Sequence, residues 1–159
     1  MPEREPIGLL VAVVRRRIKQ VTTLLVRRHR LSPQQFWTVV AIARGQELSL
    51  RELAERRRMD QPTACRVVET LVRRRLITNT PDPADRRRSR LRLTPSGEHM
   101  AAEVLPIAAT IADVVESSLS AAERRTVVAS LRKIVAGLDR FEESTRARPD
   151  GGPGVRGES

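Results

Sequence analysis

A mainly α-helical chain with one small β-hairpin and long helices at both ends is what the sequence predicts. Three observations carry this reading. Apolar residues recur every three or four positions over most of the chain, which is the helical period. Start signals at Ser32, Ser49, Asp60 and Ser120 cut that pattern into separate segments. Between residues 76 and 94 the period drops to two, the period of strands.

Taken in order, residues 6 to 30 place Ile7, Val11, Val14, Ile18, Val21 and Leu25 on one stripe, predicting a long amphipathic helix. Ser32-Pro33-Gln34-Gln35 supplies a cap, a proline at the first helical position and a capping-box glutamine. The helix it opens ends at Gly45. Ser49-Leu50-Arg51-Glu52 is a second capping box, for a short helix through Arg57. Asp60 caps a third, whose inward face is Ala64, Val67, Val68 and Leu71. Leu76 to Thr80 and Ser89 to Thr94 read as strands around the turn PDPAD. Thr94-Pro95 then opens a long helix, with a kink or break expected near Glu103 to Leu105 because of Pro106. Ser120-Ala121-Ala122-Glu123 opens the last helix, striped by Val127, Leu131, Ile134, Leu138 and Phe141.

The chain has 159 residues and a formal charge of +11, almost all of it from arginine. A charge of that sign and size implies a polyanionic partner. Residues 51 to 92 concentrate it, with thirteen arginines against six acids. Only Phe36, Phe141 and Trp37 are aromatic, which argues against single-strand binding on stacking platforms. The lone Cys65 forbids an intrachain disulfide and suits a reducing cytoplasm. No uninterrupted apolar run is long enough for a membrane span.

Two short helices joined by a tight turn, the second basic on its outer face, describe a helix-turn-helix. Pro62, Arg66, Glu69 and Arg73 lie opposite the buried stripe of that second helix, and Gln61 and Thr63 flank its first turn. Such a turn can enter a major groove, where glutamine pairs with adenine, arginine with guanine and the threonine methyl meets thymine. A solvated helix face is the competing reading. A hairpin that follows is then a wing, and its tip carries Arg86, Arg87 and Arg88 beside Asp85. Arginines there can enter the adjacent minor groove, held by an orienting acid. Arg90 and Arg92, alternating with Leu91 and Leu93, are expected to face phosphates or solvent.

The segments LSPQQFWTVVAIA, LSLRELAERR, TACRVVETLVRRRLI and DPADRRRSRLRLTPSG resemble the multiple-antibiotic-resistance regulator (MarR) family of bacterial transcription factors, over roughly residues 8 to 143. The family's D-x-R signature falls on Asp85-Arg86-Arg87 and its L-T-x-x-G on Leu93-Thr94-Pro95-Ser96-Gly97. The resemblance implies a homodimeric winged helix-turn-helix repressor on a pseudopalindromic duplex operator, released by a small molecule. It gives Arg87 the minor-groove role, Asp85 the orienting role, and Gln61, Thr63 and Arg66 the recognition-helix positions. One regulator domain over residues 6 to 143 follows, with a reading head at about 32 to 96. Residues 6 to 30 and 97 to 143 become dimerisation helices, and 144 to 159 a flexible Gly/Pro-rich tail.

Two departures stand out. Where the family carries glycine, before the recognition helix and at its end, this chain has Arg58 and Arg75. A positive φ at either costs about 1 kcal/mol in a non-glycine residue. By the same resemblance an inducer pocket would adjoin the first helix, the Phe36/Trp37 segment and the helix around Pro106. Arg16, Arg27, Arg28 or His29 would hold a small anionic or aromatic ligand there, against a plain salt-bridged role for each. Cys65 reads as a helix-flank packing residue rather than a redox centre, and two separated histidines form neither a metal site nor a catalytic constellation. No cofactor is expected. The rival readings are a nonspecific DNA-coating protein and a winged-helix protein-interaction module.

Overall fold

The computed structural model describes residues 5–45, 48–85 and 88–147. Among these residues six α-helices and two strands follow one another: α1 (Ile7–Val26), α2 (Pro33–Gly45), α3 (Leu50–Arg57), α4 (Gln61–Arg73), β1 (Ile77–Pro81), β2 (Ser89–Leu93), α5 (Pro95–Glu116) and α6 (Ala121–Arg146). Two compact units are distinguished, Met1–Val115 and Glu116–Ser159. No side chain of α6 is buried.

The predicted caps account for most helix starts. Ser49 and Glu52 form the reciprocal capping box of α3, and Ser120 and Glu123 that of α6. Ser32 Oγ accepts the Gln35 amide at 3.2 Å while Gln35 Oε1 accepts the Ser32 amide at 3.0 Å. These contacts satisfy amides that a helix start leaves without partners. α1 ends in a 3-10 turn, Arg27–His29, closed by Arg30 in the left-handed region at φ 53°.

The core of the first unit gathers Val26, Phe36, Val39, Ile42, Leu53, Leu71, Ile77, Leu91 and Val104. The hairpin pairs Ile77 with Leu93 and Pro81 with Ser89, one residue later in its first strand than predicted. Leu76 is drawn out of that strand because its amide donates to the Leu71 carbonyl and its carbonyl accepts the Thr94 amide. Leu91 also bridges to Leu48, its amide donating to the Leu48 carbonyl at 2.7 Å. The wing is thus tied to the segment just before α3.

Two expectations need correction. α5 runs unbroken from Pro95 to Glu116, so of the kink or break expected near Glu103 to Leu105 the break does not occur. Pro106 removes the amide bond to the Ala102 carbonyl and crowds that carbonyl, but Ala101, Val104, Ala108 and Ile111 hold both sides of it in the core. The tail was expected from residue 144, yet Ser144, Thr145 and Arg146 are helical. Ser144 and Thr145 back-bond to the Phe141 carbonyl, and Arg146 pairs with Glu142 one turn earlier. Residues 148 to 159 lie outside the described residues.

Candidate nucleic-acid interface

α4 is built as the sequence predicts. Ala64, Val67, Val68 and Leu71 are buried, while Gln61, Pro62, Arg66, Glu69 and Arg73 are exposed. Its start is fixed by Asp60, whose Oδ1 accepts the Thr63 amide at 2.8 Å and whose Oδ2 accepts the Thr63 hydroxyl at 3.0 Å. These bonds from Thr63 hold the Asp60 carboxyl below the usual aspartate range, because they stabilise its charged form. The threonine is therefore held in one orientation at the mouth of the helix.

A polar ladder climbs the same face. Arg66 Nη2 lies 3.4 Å from Thr63 Oγ1, Thr70 Oγ1 donates to the Arg66 carbonyl at 2.9 Å, and Arg73 Nη2 donates to Thr70 Oγ1 at 3.2 Å. Beside it an open cleft of about 400 Å³ is lined by Ser32, Gln34, Gln35, Thr63, Arg66, Val67 and Thr70. The α2 residues and Thr70 were not singled out from sequence. The SPQQ start signal placed them on a helix, but nothing local to it shows that this helix start faces α4.

Both arginines that replace the expected glycines adopt left-handed backbone. Arg58 caps α3 at φ 48° and Arg75 follows α4 at φ 56°. Each conformation is sustained by backbone bonds, Arg58 N–H to the Glu55 carbonyl at 3.2 Å and Arg75 N–H to the Val72 carbonyl at 2.8 Å. The left-handed turns on either side of α4 therefore form with arginine in them, and both arginines are exposed.

In the wing, Arg88 N–H donates to the Asp85 carbonyl at 2.8 Å and Asp82 N–H to the Arg88 carbonyl at 2.9 Å. Asp82 Oδ1 accepts the Ala84 amide at 2.8 Å and lies 3.3 Å from Arg90. The Ala84 bond leads the lowering of the Asp82 carboxyl's pKa. Arg90, expected to face phosphates or solvent, is thus held by Asp82, a contact across the turn that strand alternation alone does not reveal. Arg88 reaches back to Glu52 at 3.4 Å, and Ser89 Oγ accepts the Leu50 amide at 2.9 Å. These bonds brace the base of the wing on α3. Of the three arginines predicted for the tip, Arg86 and Arg87 lie outside the described residues, and Arg88 is turned back to Glu52.

The residues predicted for a small ligand are two contacting pairs, Arg28 with His29 and Phe36 with Trp37, and Arg16. Arg16 and Arg28 are exposed, and Phe36 is fully buried with its ring edge-on to Trp37 at 4.8 Å. The Arg57 guanidinium sits 5.4 Å above the Trp37 ring, and burial pushes its pKa down. Buried His29 has both ring nitrogens engaged, by Glu103 and Arg28. None of these residues lines the cleft beside α4. Cys65 is half-buried on α4, and no group of three metal-ligating side chains occurs among the described residues. No single described helix is long and apolar enough to cross a membrane.

Comparison with known proteins places this geometry. The MarR family model matches residues 30–88, from the end of the α1 turn to the wing tip. The HTH-type transcriptional repressor NicR of Pseudomonas putida is 33% identical over 124 residues, covering 76% of this chain and 78% of that protein. The structure of Bordetella bronchiseptica BpsR, solved to explain how 6-hydroxynicotinic acid regulates its DNA binding, aligns at a TM-score of 0.73 and 30% identity. It covers 85% of this chain and 98% of that one. Staphylococcus aureus MepR in its DNA-binding conformation aligns at a TM-score of 0.78 and 23% identity, over 84% of this chain and 98% of its own. At that identity the likeness speaks for the fold.

Proposed function

Because the chain belongs to the MarR family of transcriptional regulators, we propose that it is a homodimeric repressor that reads a pseudopalindromic duplex and is released by a small aromatic anion. The observation that carries the proposal is the fixed first turn of α4. Asp60 holds Thr63, Thr63 holds Arg66, and Gln61 and Pro62 stand exposed beside them. Side chains held before DNA arrives lose less freedom on binding it.

In this reading Gln61, Pro62, Thr63, Arg66 and Arg73 meet the major groove. The wing carries Arg86 and Arg87 to the flanking minor groove, with Asp85 orienting Arg87, while Arg88, bonded to Glu52, braces the wing on α3. The second copy meets the first through α1, α5 and α6. On these helices Ile7 is 62% exposed, Leu138 63% and Phe141 70%, apolar side chains that a second copy would cover. Like BpsR, whose DNA binding responds to 6-hydroxynicotinic acid, the protein would answer to a planar carboxylate. Acting on the chromosome places it in the cytoplasm. Its role is binding and release, with no chemical step for an enzyme to perform.

The test is selection of bound fragments from the host's genomic DNA, followed by titration of the chosen duplex and a scrambled one. A strong preference for a pseudopalindrome is expected, and affinity falling steeply with salt. A dimer neutralising roughly six to ten phosphates gives a slope of log K against log salt near −5 to −9. Asp85→Ala should weaken operator binding although it deletes a negative charge. Equal, tighter binding of that variant to both duplexes would leave only a nonspecific basic patch.

A further inference from the structure

Arg74, which caps the C-terminal end of α4, crosses to the turn after α1. Its Nη1 donates to the Arg30 carbonyl at 2.7 Å and its Nη2 to the His29 carbonyl at 3.3 Å. These carbonyls lie where a helical segment ends, the place where acceptors lack intrahelical partners. Arg30 is the residue in the left-handed region there. The guanidinium fork, with two donors in a fixed frame, suits such a pair of acceptors, whereas an ammonium is a point charge.

The imidazole of the same His29 points inward, 8% of the residue being exposed. Its Nε2 accepts from Arg28 Nε at 3.0 Å. A neutral imidazole has one donor and one acceptor, so the proton sits on Nδ1, which donates to Glu103 Oε2 on α5 at 3.0 Å. The other carboxylate oxygen of Glu103 is met by His99 Nε2 at 3.1 Å. One residue therefore joins α4 through its backbone and α5 through its side chain.

We propose that Arg74, His29 and Glu103 form a positioning relay that fixes the C-terminal end of α4 against α1 and α5, and so sets the angle at which the recognition helix meets DNA. The proposal rests on the DNA-reading function above. Arg74 is spent on backbone carbonyls rather than held out to phosphate, and Glu103 acts on DNA binding without approaching it. A displacement of α5 at Glu103 passes through the His29 ring to the turn that Arg74 grips. The relay thus connects the helices proposed for dimerisation to the helix proposed for reading.

The experiment compares wild type, Arg74→Lys, Arg74→Ala and Glu103→Gln in titrations of the tightest genomic fragment at several salt concentrations. Amide hydrogen exchange along α4 is followed in the free proteins. Arg74→Lys keeps the charge and loses the fork, and should bind roughly 2- to 30-fold more weakly, the range for residues that modulate a site without touching its ligand. Its salt slope should match wild type, and amides near Arg73 should exchange faster. Glu103→Gln should copy both effects, although deleting a negative charge should by attraction alone tighten binding. The relay is overturned if Arg74→Lys binds like wild type while Arg74→Ala lowers the salt slope by about one per subunit, the mark of a phosphate contact. It is equally overturned if Glu103→Gln binds as well as or better than wild type with unchanged exchange. If wild type selects no fragment, the DNA-reading proposal fails on its own, and exchange in α4 decides the relay: acceleration in both Arg74→Lys and Glu103→Gln supports it, and wild-type exchange in either refutes it.

Discussion

Gly97 in the first turn of α5 lies so close to Leu76 that a Cβ on the glycine would stand 1.8 Å from the Leu76 carbonyl oxygen. That carbonyl already accepts the Thr94 amide at 3.1 Å, and Thr94 Oγ1 accepts the Gly97 amide at 3.0 Å. The start of α5 is thus seated on backbone that has no room to retreat. Gly97→Ala should destabilise the protein at the upper end of the roughly 1–3 kcal/mol typical of overpacking. Urea unfolding measures it, and a loss under half a kcal/mol would mean the seat is softer than its geometry.

Thr38 of α2 is fully buried, and its hydroxyl finds no hydrogen-bond partner among the described residues. Replacing a buried, unpaired polar group with an apolar one of the same shape removes a desolvation penalty. Thr38→Val should therefore stabilise the fold by about 1 kcal/mol, read from the urea midpoint at unchanged m-value. A destabilised variant would reveal a partner for the hydroxyl.

Arg58 and Arg75 occupy left-handed backbone that costs an ordinary residue roughly 1–2 kcal/mol. Glycine removes that strain and returns part of the gain as chain entropy in the unfolded state. Arg58→Gly and Arg75→Gly should each raise stability by about 0.5–1 kcal/mol while making nonspecific DNA binding weaker and less salt-dependent. Thermal unfolding and titration with random-sequence duplex check the two arms separately.

Glu52 is held below the usual glutamate range, chiefly by the Ser49 amide and then by the Ser49 hydroxyl. A carboxyl whose pKa is depressed by folding adds stability above its unfolded value, and that stability fades as pH falls through the folded one. The α3 cap should therefore be intact above about pH 4.5 and lost progressively below it. Ser49→Ala should destabilise by about 0.5–2 kcal/mol at neutral pH and flatten the acid limb of a stability–pH curve. An acid limb unchanged by the substitution would show that other carboxylates govern it.

What could be read from the residues was what neighbours in sequence decide. The boxes at Ser32, Ser49 and Ser120 and the α4 stripe through Leu71 depend on partners three or four positions away, and they stand as read. Arg74 on the Arg30 carbonyl spans 44 positions, and Ser89 on the Leu50 amide 39, so neither leaves a local trace. Helix α5 passes through Pro106 because packing by Val104 and Ile111 outweighs a local penalty. The left-handed turn at Arg30 has no glycine to announce it. The predicted wing-tip contacts of Arg86 and Arg87 fall outside the described residues.

With none of its side chains buried within the chain, α6 carries a particular genetic burden. In the proposed dimer its apolar face joins the contact with the other copy, and by two-fold symmetry every inherited change on it enters the assembly twice. A codon change at Leu138 or Phe141 would leave the isolated subunit nearly as it was and disturb the complex at two places together. Tolerance of mutation in this helix would then depend on how many copies a cell holds, since abundance can offset weakened pairing but not a broken core.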